Sequence, residues 1–279
     1  MRHLLITDLD GTLLGPDSRV SDESAHIISD LSSHGAMISI ATARTPATVE
    51  PLLRDTLTTL PVIVMTGASM WDRKGMRYIN PLLLSGPQTD ALISAFTDHG
   101  ISPFVYTLGD NGDMRVYHDS GMTPEESRFH SERSHLTLKR FIFEPPGQYA
   151  GQHPDTILIL GIGETPRISA LAARLRSDPE LSVSAYPDLV NPRTSYIEVF
   201  RQGVSKAAAV LRLKAMLGAD RLTVYGDHIN DLPMFAVADE AVAVANALPE
   251  VLDAASRTIG PNTLPSVAMD MRKIFYENL

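Results

Sequence analysis

Two aspartates close an apolar run near the N-terminus, in His3-Leu4-Leu5-Ile6-Thr7-Asp8-Leu9-Asp10-Gly11-Thr12. A buried strand is expected to stop at its charges. Asp8 and Asp10 are two residues apart, so on a strand their side chains start toward the same face. Gly11 then lets the backbone turn sharply. Carboxylates held close together repel, and they stay ionised only with a cation or a shared proton nearby. The pair points to a metal site or an acid–base pair at a strand end. Asp-Gly-Thr is also ordinary turn chemistry after a strand, so the pair by itself does not choose.

A second acidic group, Gly226-Asp227-His228-Ile229-Asn230-Asp231, follows the apolar run Leu222 to Tyr225. In open parallel sheets, ligands bind beyond the carboxyl ends of the strands. Asp8, Asp10, Asp227 and Asp231 would gather there, and such hard oxygen donors suit Mg²⁺, which also binds substrate phosphate. In isolation, Gly-Asp before a helix is equally a turn and a cap. The run Met37 to Ala41 ends in Thr42-Ala43-Arg44-Thr45-Pro46, a hydroxyl at a strand end followed by a helix N-terminus able to hold phosphate oxygen. Lys206 follows Gly203 and Ser205 early in a helix, a position where a lysine is ordinarily solvated.

Positioning these groups requires strands whose ends meet. Arg2 to Thr7, Met37 to Ala41 and Val62 to Met65 read as strands. Asp22 to Ser33 reads as a helix, with Ser21 as N-cap, Ala25, Ile28 and Leu31 on one face and Gly35 at its end. Pro46 opens another helix. This β-α-β-α-β order implies a parallel sheet with helices on its faces. The pattern returns with a helix at Lys206 to Leu217 and strands at Leu222 to Tyr225 and Ala241 to Val244. The middle differs. Pro103 to Thr107 and Met114 to Tyr117 flank Gly109-Asp110-Asn111-Gly112-Asp113, a hairpin signal. Helices at Gln88 to Asp98 and Arg167 to Arg176 and a strand at Thr156 to Leu160 complete an α+β insert. The expected division is a core of residues 1–83 and 189–279 around an inserted domain of residues 84–188.

Composition narrows the function. The 279 residues are 44% hydrophobic, enough for a sizeable core, and carry a net charge of -9. An acidic chain gains nothing from counterion release on nucleic acid, and no basic amphipathic stretch suits a membrane surface. The absence of cysteine excludes disulfides, zinc–thiolate sites and a thiol nucleophile. Asp8 interrupts the first apolar run too early for a signal peptide, and no stretch reaches the roughly 18 apolar residues of a membrane span. The expectation is a soluble cytoplasmic protein. Gly161-Ile162-Gly163 lacks the third glycine of a dinucleotide loop, and Gly163-Glu164-Thr165-Pro166 reads as a turn into a helix. His130 and His135 read as surface residues. Asp188, Arg193 and Tyr196 lie near a domain boundary, either facing a cleft or as exposed linker.

Together the four segments resemble the haloacid dehalogenase superfamily of phosphohydrolases. Asp8-Leu9-Asp10-Gly11-Thr12-Leu13-Leu14 looks like its first motif, Thr42 its second, Lys206 its third and Gly226 to Asp231 its fourth. Thr42 lies thirty-two positions after Asp10, which leaves no room for a large cap, whereas the stretch from Thr42 to Lys206 does. This is similar to the Cof-type branch, as is Val244-Ala245-Asn246-Ala247. The resemblance implies a doubly wound, Rossmann-like α/β core with an inserted α+β cap. It implies Asp8 as nucleophile forming an aspartyl-phosphate and Asp10 as general acid and base. Mg²⁺ would be held by Asp8, the Asp10 carbonyl and Asp227, with Asp231 supporting Lys206 or a water on the metal. Phosphate contacts are implied for Leu9, Thr42, Ala43, Lys206 and Asn230, and a substrate contact for Arg44. Ala43 and Thr66 replace the usual glycine and asparagine of two motifs, and Ala207 replaces a glycine after Lys206. The implied activity is hydrolysis of small phosphorylated metabolites, sugar phosphates in particular. A phosphomutase on the same fold is the alternative. A non-catalytic binding module would predict a damaged catalytic set, yet Asp8, Asp10, Thr42, Lys206 and Asp227 are all present.

Overall fold

The computed structural model describes residues 2–109, 111–145, 153–188 and 191–277. The chain opens with β1 (His3–Thr7), α1 (Asp22–Ser33), β2 (Met37–Ile40), α2 (Pro46–Leu52) and β3 (Val62–Val64), then β4 (Ser69–Asp72) and β5 (Arg77–Ile79). It continues through α3 (Gly86–Asp98), β6 (Phe104–Leu108), β7 (Met114–Asp119), α4 (Pro124–Ser131), β8 (Lys139–Glu144), β9 (Thr156–Glu164), α5 (Thr165–Leu175), β10 (Leu181–Pro187) and β11 (Thr194–Arg201). It ends with α6 (Lys206–Leu217), β12 (Arg221–Gly226), α7 (Leu232–Phe235), β13 (Glu240–Val244), α8 (Pro249–Ala254), β14 (Arg257–Ile259) and α9 (Ser266–Glu277).

These elements form two compact units, Met1–Asn80 with Ser205–Leu279, and Pro81–Val204. The first holds a five-stranded sheet in the order β14-β13-β12-β1-β2, parallel throughout. A parallel bridge from Ala41 to Ile63 extends it toward β3, which leads an antiparallel β3-β4-β5 sheet. β1 lies inside the sheet, and Leu4, Leu5 and Ile6 are at most 2% exposed, as expected of a strand covered on both faces. Each such side chain contributes about 1.5–3 kcal/mol on burial. α1 starts where the Ser21 hydroxyl accepts the Ser24 amide at 3.1 Å and buries Ala25, Ile27, Ile28 and Leu31.

The second unit is a six-stranded sheet, β10-β11-β9-β6-β7-β8, antiparallel except for the β7–β8 pair. α3 and α5 pack Leu92, Phe96, Ile168 and Leu171 against Ile159, Ile197 and Val199 on one face. The expected inner boundary at 188/189 differs from this division. β11 pairs with both β9 and β10, so the insert runs to Val204. Residues 189–190 lie outside the described residues, as does Asp110 of the expected hairpin, whose flanking strands β6 and β7 do pair antiparallel.

Three smaller readings change. Gly163 does not sit in a turn: with Gly161 it lies inside β9, the two glycines opposite Ser195 and Ile197. A Cβ at Gly161 would come within 2.6 Å of the Phe96 ring, so the glycine makes room for α3. His130 is half-buried, edge-on to Phe141 and Phe143, while His135 is exposed. Asp188 is buried and accepts from the Arg128 guanidinium and the Tyr196 hydroxyl, which fixes this segment from within, whereas Arg193 is exposed.

Candidate active site

Strand register brings the acidic segments to one level. Thr7 stands opposite Ile40 on one side and Tyr225 on the other. Asp8 and Asp227 therefore emerge at neighbouring carboxyl ends, with Thr42 one strand away. The chain leaves β1 toward β2 on one side, with β12 on the other, which is the switch point where parallel sheets open a crevice.

Asp8 and Asp10 part company. β1 ends at Thr7, so the alternation expected of a strand no longer applies at the two aspartates. Asp8 stays buried, 5% exposed, and meets Lys206 Nζ at 2.6 Å. Asp10 turns outward and is gripped by Arg44 through two bonds, Nε to Oδ2 at 2.8 Å and a terminal nitrogen to Oδ1 at 2.6 Å. Gly11 follows at φ +77°, where a Cβ would fall 2.2 Å from Asp227 Oδ2. This position excludes a side chain both by its backbone and by its neighbour. The Leu14 amide closes the turn on the Leu9 carbonyl at 2.8 Å.

Lys206 is not solvated. It is the first residue of α6, behind N-cap Ser205, and is 2% exposed. Its ammonium joins Asp8 to Asp231 Oδ1, at 2.7 Å. Gly67 explains how the helix comes so close: a Cβ there would sit 2.4 Å from the Ser205 carbonyl oxygen. The other oxygen of Asp231 accepts the amides of Asp227 and His228 at 3.0 and 3.1 Å. Asp227 Oδ1 accepts the Thr12 hydroxyl at 2.6 Å. Ligand oxygens of Asp8, Asp227 and Asp231 lie within 4.8 Å of one another.

Three crowded carboxylates thus share one ammonium. Burial raises the Asp8 carboxyl above its ordinary value, and Lys206 offsets this in part. Burial also raises Asp227, against the hydrogen bond from Thr12. For Lys206 burial opposes the charge, but Asp8 and Asp231 outweigh it and hold the amine above its usual range. The remaining negative charge is what a hard divalent cation would neutralise, and the donors are all oxygen. Of the four expected ligands, the Asp10 side chain stands apart on Arg44. Asp231 already spends both oxygens on Lys206 and two amides.

Thr42 is 1% exposed, and its hydroxyl accepts the Arg44 amide at 3.2 Å. Ala43 and Asn230 are exposed, and Leu9 is buried with its amide on the Asp8 carboxylate. Met65 and Thr66 both adopt positive φ, at 50° and 56°. Their amides bind the carbonyls of Arg44 and Thr42 at 3.0 Å each, so a strained segment clasps the Thr42 loop. An asparagine tolerates this backbone better than a β-branched threonine, which gives the departure at residue 66 a conformational meaning.

Three contributors escaped the sequence reading as site residues. Thr12 was visible only as part of a motif. Asn246 donates to the Gly11 carbonyl at 2.8 Å and accepts the Asn262 amide at 2.8 Å. Asn262 in turn donates to the Leu14 carbonyl at 2.8 Å. These two asparagines staple the Asp8–Leu14 turn from loops more than two hundred residues away; Asn246 is legible only as part of Val244-Ala245-Asn246-Ala247, and no local signal announces Asn262.

A family model described as haloacid dehalogenase-like hydrolase matches residues 5–270. The chain is 23% identical to the 5-amino-6-(5-phospho-D-ribitylamino)uracil phosphatase YitU of Bacillus subtilis, over 98% of this chain and 97% of that protein. It is 26% identical to the HMP-PP phosphatase of Serratia proteamaculans, over 90% and 86%. Among solved structures, a haloacid dehalogenase-like hydrolase from Bacteroides thetaiotaomicron shares the fold, with TM-score 0.77 at 19% identity over 98% of this chain and all of that one.

Proposed function

The chain belongs to the haloacid dehalogenase-like hydrolases, and from that premise we propose that it is a Mg²⁺-dependent phosphatase of small phosphate monoesters acting through an aspartyl-phosphate. The observation that carries this reading is the buried Asp8 carboxylate, held by Lys206 beside Asp227 and Asp231 at the carboxyl ends of β1 and β12. Asp8 and Asp227, with the Asp10 carbonyl, would hold the cation. When bound, Mg²⁺ would offset the repulsion between an anionic nucleophile and an anionic substrate.

An Asp8 oxygen attacks phosphorus, and the bond from phosphorus to the leaving alcohol breaks. Asp10 gives its proton to that alcohol and then takes one from the water that cleaves the aspartyl-phosphate. For this, Asp10 must come off Arg44, so the bidentate pair is a resting arrangement that substrate replaces. Lys206 keeps Asp8 oriented and, with the Thr42 hydroxyl and the Leu9 amide, receives phosphate oxygens. Ala43 and Asn230 are the outer phosphate contacts, and Arg44 contacts the substrate. The relatives' names point to phosphorylated small metabolites, and we extend this to sugar and polyol phosphates.

The test is release of inorganic phosphate from a panel of phosphorylated sugars and polyols, with and without a chelator. Release that stops on chelation and returns with Mg²⁺ supports the reading. No release from any member ends it, and relocation of phosphate on the sugar without release replaces it with a mutase.

A further inference from the structure

Lys139 opens β8 in the second unit and is 7% exposed. Among the described residues its ammonium has neither a hydrogen bond nor an ion pair. It stands instead over the ring of Tyr106, 5.2 Å from the centroid. Tyr106 is 2% exposed, and its hydroxyl likewise has no hydrogen bond among the described residues. Neither polar tip is fully enclosed. Tyr106 pairs in register with Leu158, whose neighbour Ile159 faces α3 and α5, so the two residues lie on the sheet face away from those helices.

Among the described residues no counter-charge bears on the amine. The charge bearing on Lys139 is that of Arg133, of the same sign. Arg133 lies 4.1 Å over the Phe129 ring and donates to the Phe129 carbonyl. Burial, aided by Arg133, lowers the Lys139 amine to about 7. The acids of this face are engaged elsewhere: Glu198 bears on Tyr106 and accepts from the Tyr186 hydroxyl at 3.1 Å, Glu126 lies 3.5 Å from the His118 ring, and Asp188 accepts from Arg128 and Tyr196. Lysines are almost never buried unless paired, because desolvating the ammonium is costly.

We propose that Lys139, with Tyr106 beneath it and Arg133 near it, is an anion-binding site of the second unit that takes the carboxylate or phosphate group of a small ligand. The anion belongs to a separate small metabolite that the second unit binds by itself.

The experiment uses the full chain, with citrate and inorganic phosphate as probes, followed by calorimetric titration and thermal melting. Lys139→Met should weaken citrate binding at least about tenfold, since a charged hydrogen bond is lost. It should also melt no lower than wild type without ligand, because methionine suits a buried unpaired position. Lys139→Gln gives the same binding readout if the methionine variant fails to fold. Unchanged citrate binding in the folded variant, or no citrate binding by the wild type, overturns the site. A citrate effect on p-nitrophenyl phosphate turnover that Lys139→Met removes, at constant free Mg²⁺, supports the site. If the wild type does not hydrolyse p-nitrophenyl phosphate, the phosphatase reading falls while the citrate titration still judges Lys139.

Discussion

Two charged clusters in the first unit use similar residues to opposite ends. Against α9, Arg257 reaches Glu240 at 2.6 Å and both oxygens of Asp270 at 2.8 and 2.7 Å. Arg221 adds a second cation on Glu240, and the Tyr225 hydroxyl donates to Asp270 at 2.8 Å. There two cations meet two carboxylates, and the bonds hold the Arg257 guanidinium well above its ordinary pKa. At the carboxyl ends of β1 and β12, three carboxylates meet one ammonium, and burial raises both Asp8 and Asp227. A balanced cluster is finished as it stands. An unbalanced one carries a standing cost that a further cation or a proton relieves, and it is found where the strand ends open. Perturbed groups of that kind mark functional sites. Lys139 in the second unit is the same imbalance with the sign reversed.

The comparison is broken most severely at Asp8. Asp8→Asn should lower turnover of p-nitrophenyl phosphate by a factor on the order of 10⁴ or more while circular dichroism shows the fold intact. Retention of a tenth of the activity would remove Asp8 as nucleophile. Next in size is the metal. Mg²⁺ at a hundred times its Kd should stabilise the protein by about 2.7 kcal/mol, read as a rise in Tm, and Asp227→Ala should abolish that rise. The rise should shrink on acidification, since protons compete for carboxylates whose proton affinity burial has increased. A Tm indifferent to Mg²⁺ would mean the negative surplus is tolerated without a cation.

The balanced cluster should respond the other way. Asp270→Asn is expected to cost about 2 kcal/mol of stability by leaving Arg257 under-bonded, measured by urea unfolding, with kcat unchanged. A loss of activity comparable to that of the site variants would erase the distinction between the clusters. The smallest effect belongs to Arg44. Its pair with Asp10 is partly exposed, so Arg44→Ala should change stability by less than about 1 kcal/mol. The change should show as a higher KM instead, and a large stability loss would make the pair structural rather than a resting arrangement.

What was legible in the sequence follows from locality. The limits of α1 and α6 are local: Ser21 and Ser205 cap their N-termini, and Gly218 closes α6, each within one turn. The apolar runs of β1 and β12 ended where their aspartates began. β8, β10 and β11 were not found, because a strand at the edge or in the second layer of pairing is defined by its partners rather than its own pattern. The parallel β7–β8 pair and the residence of β11 in the second unit are long-range choices of the same kind.

The sequence by itself determined the chemistry present at the site: carboxylates at two strand ends, a hydroxyl at a third and a lysine at a helix start. Residue type and spacing along the chain suffice for that. Only the tertiary structure decided how those groups divide. It buried Lys206 between Asp8 and Asp231, turned Asp10 away to Arg44, and pressed Gly11 and Gly67 against neighbours that leave no room for a Cβ. The reason is that burial and Coulomb partners are set by distances in space. A lysine that local sequence reads as solvated becomes the counter-ion of the site when two distant strands and a helix close around it.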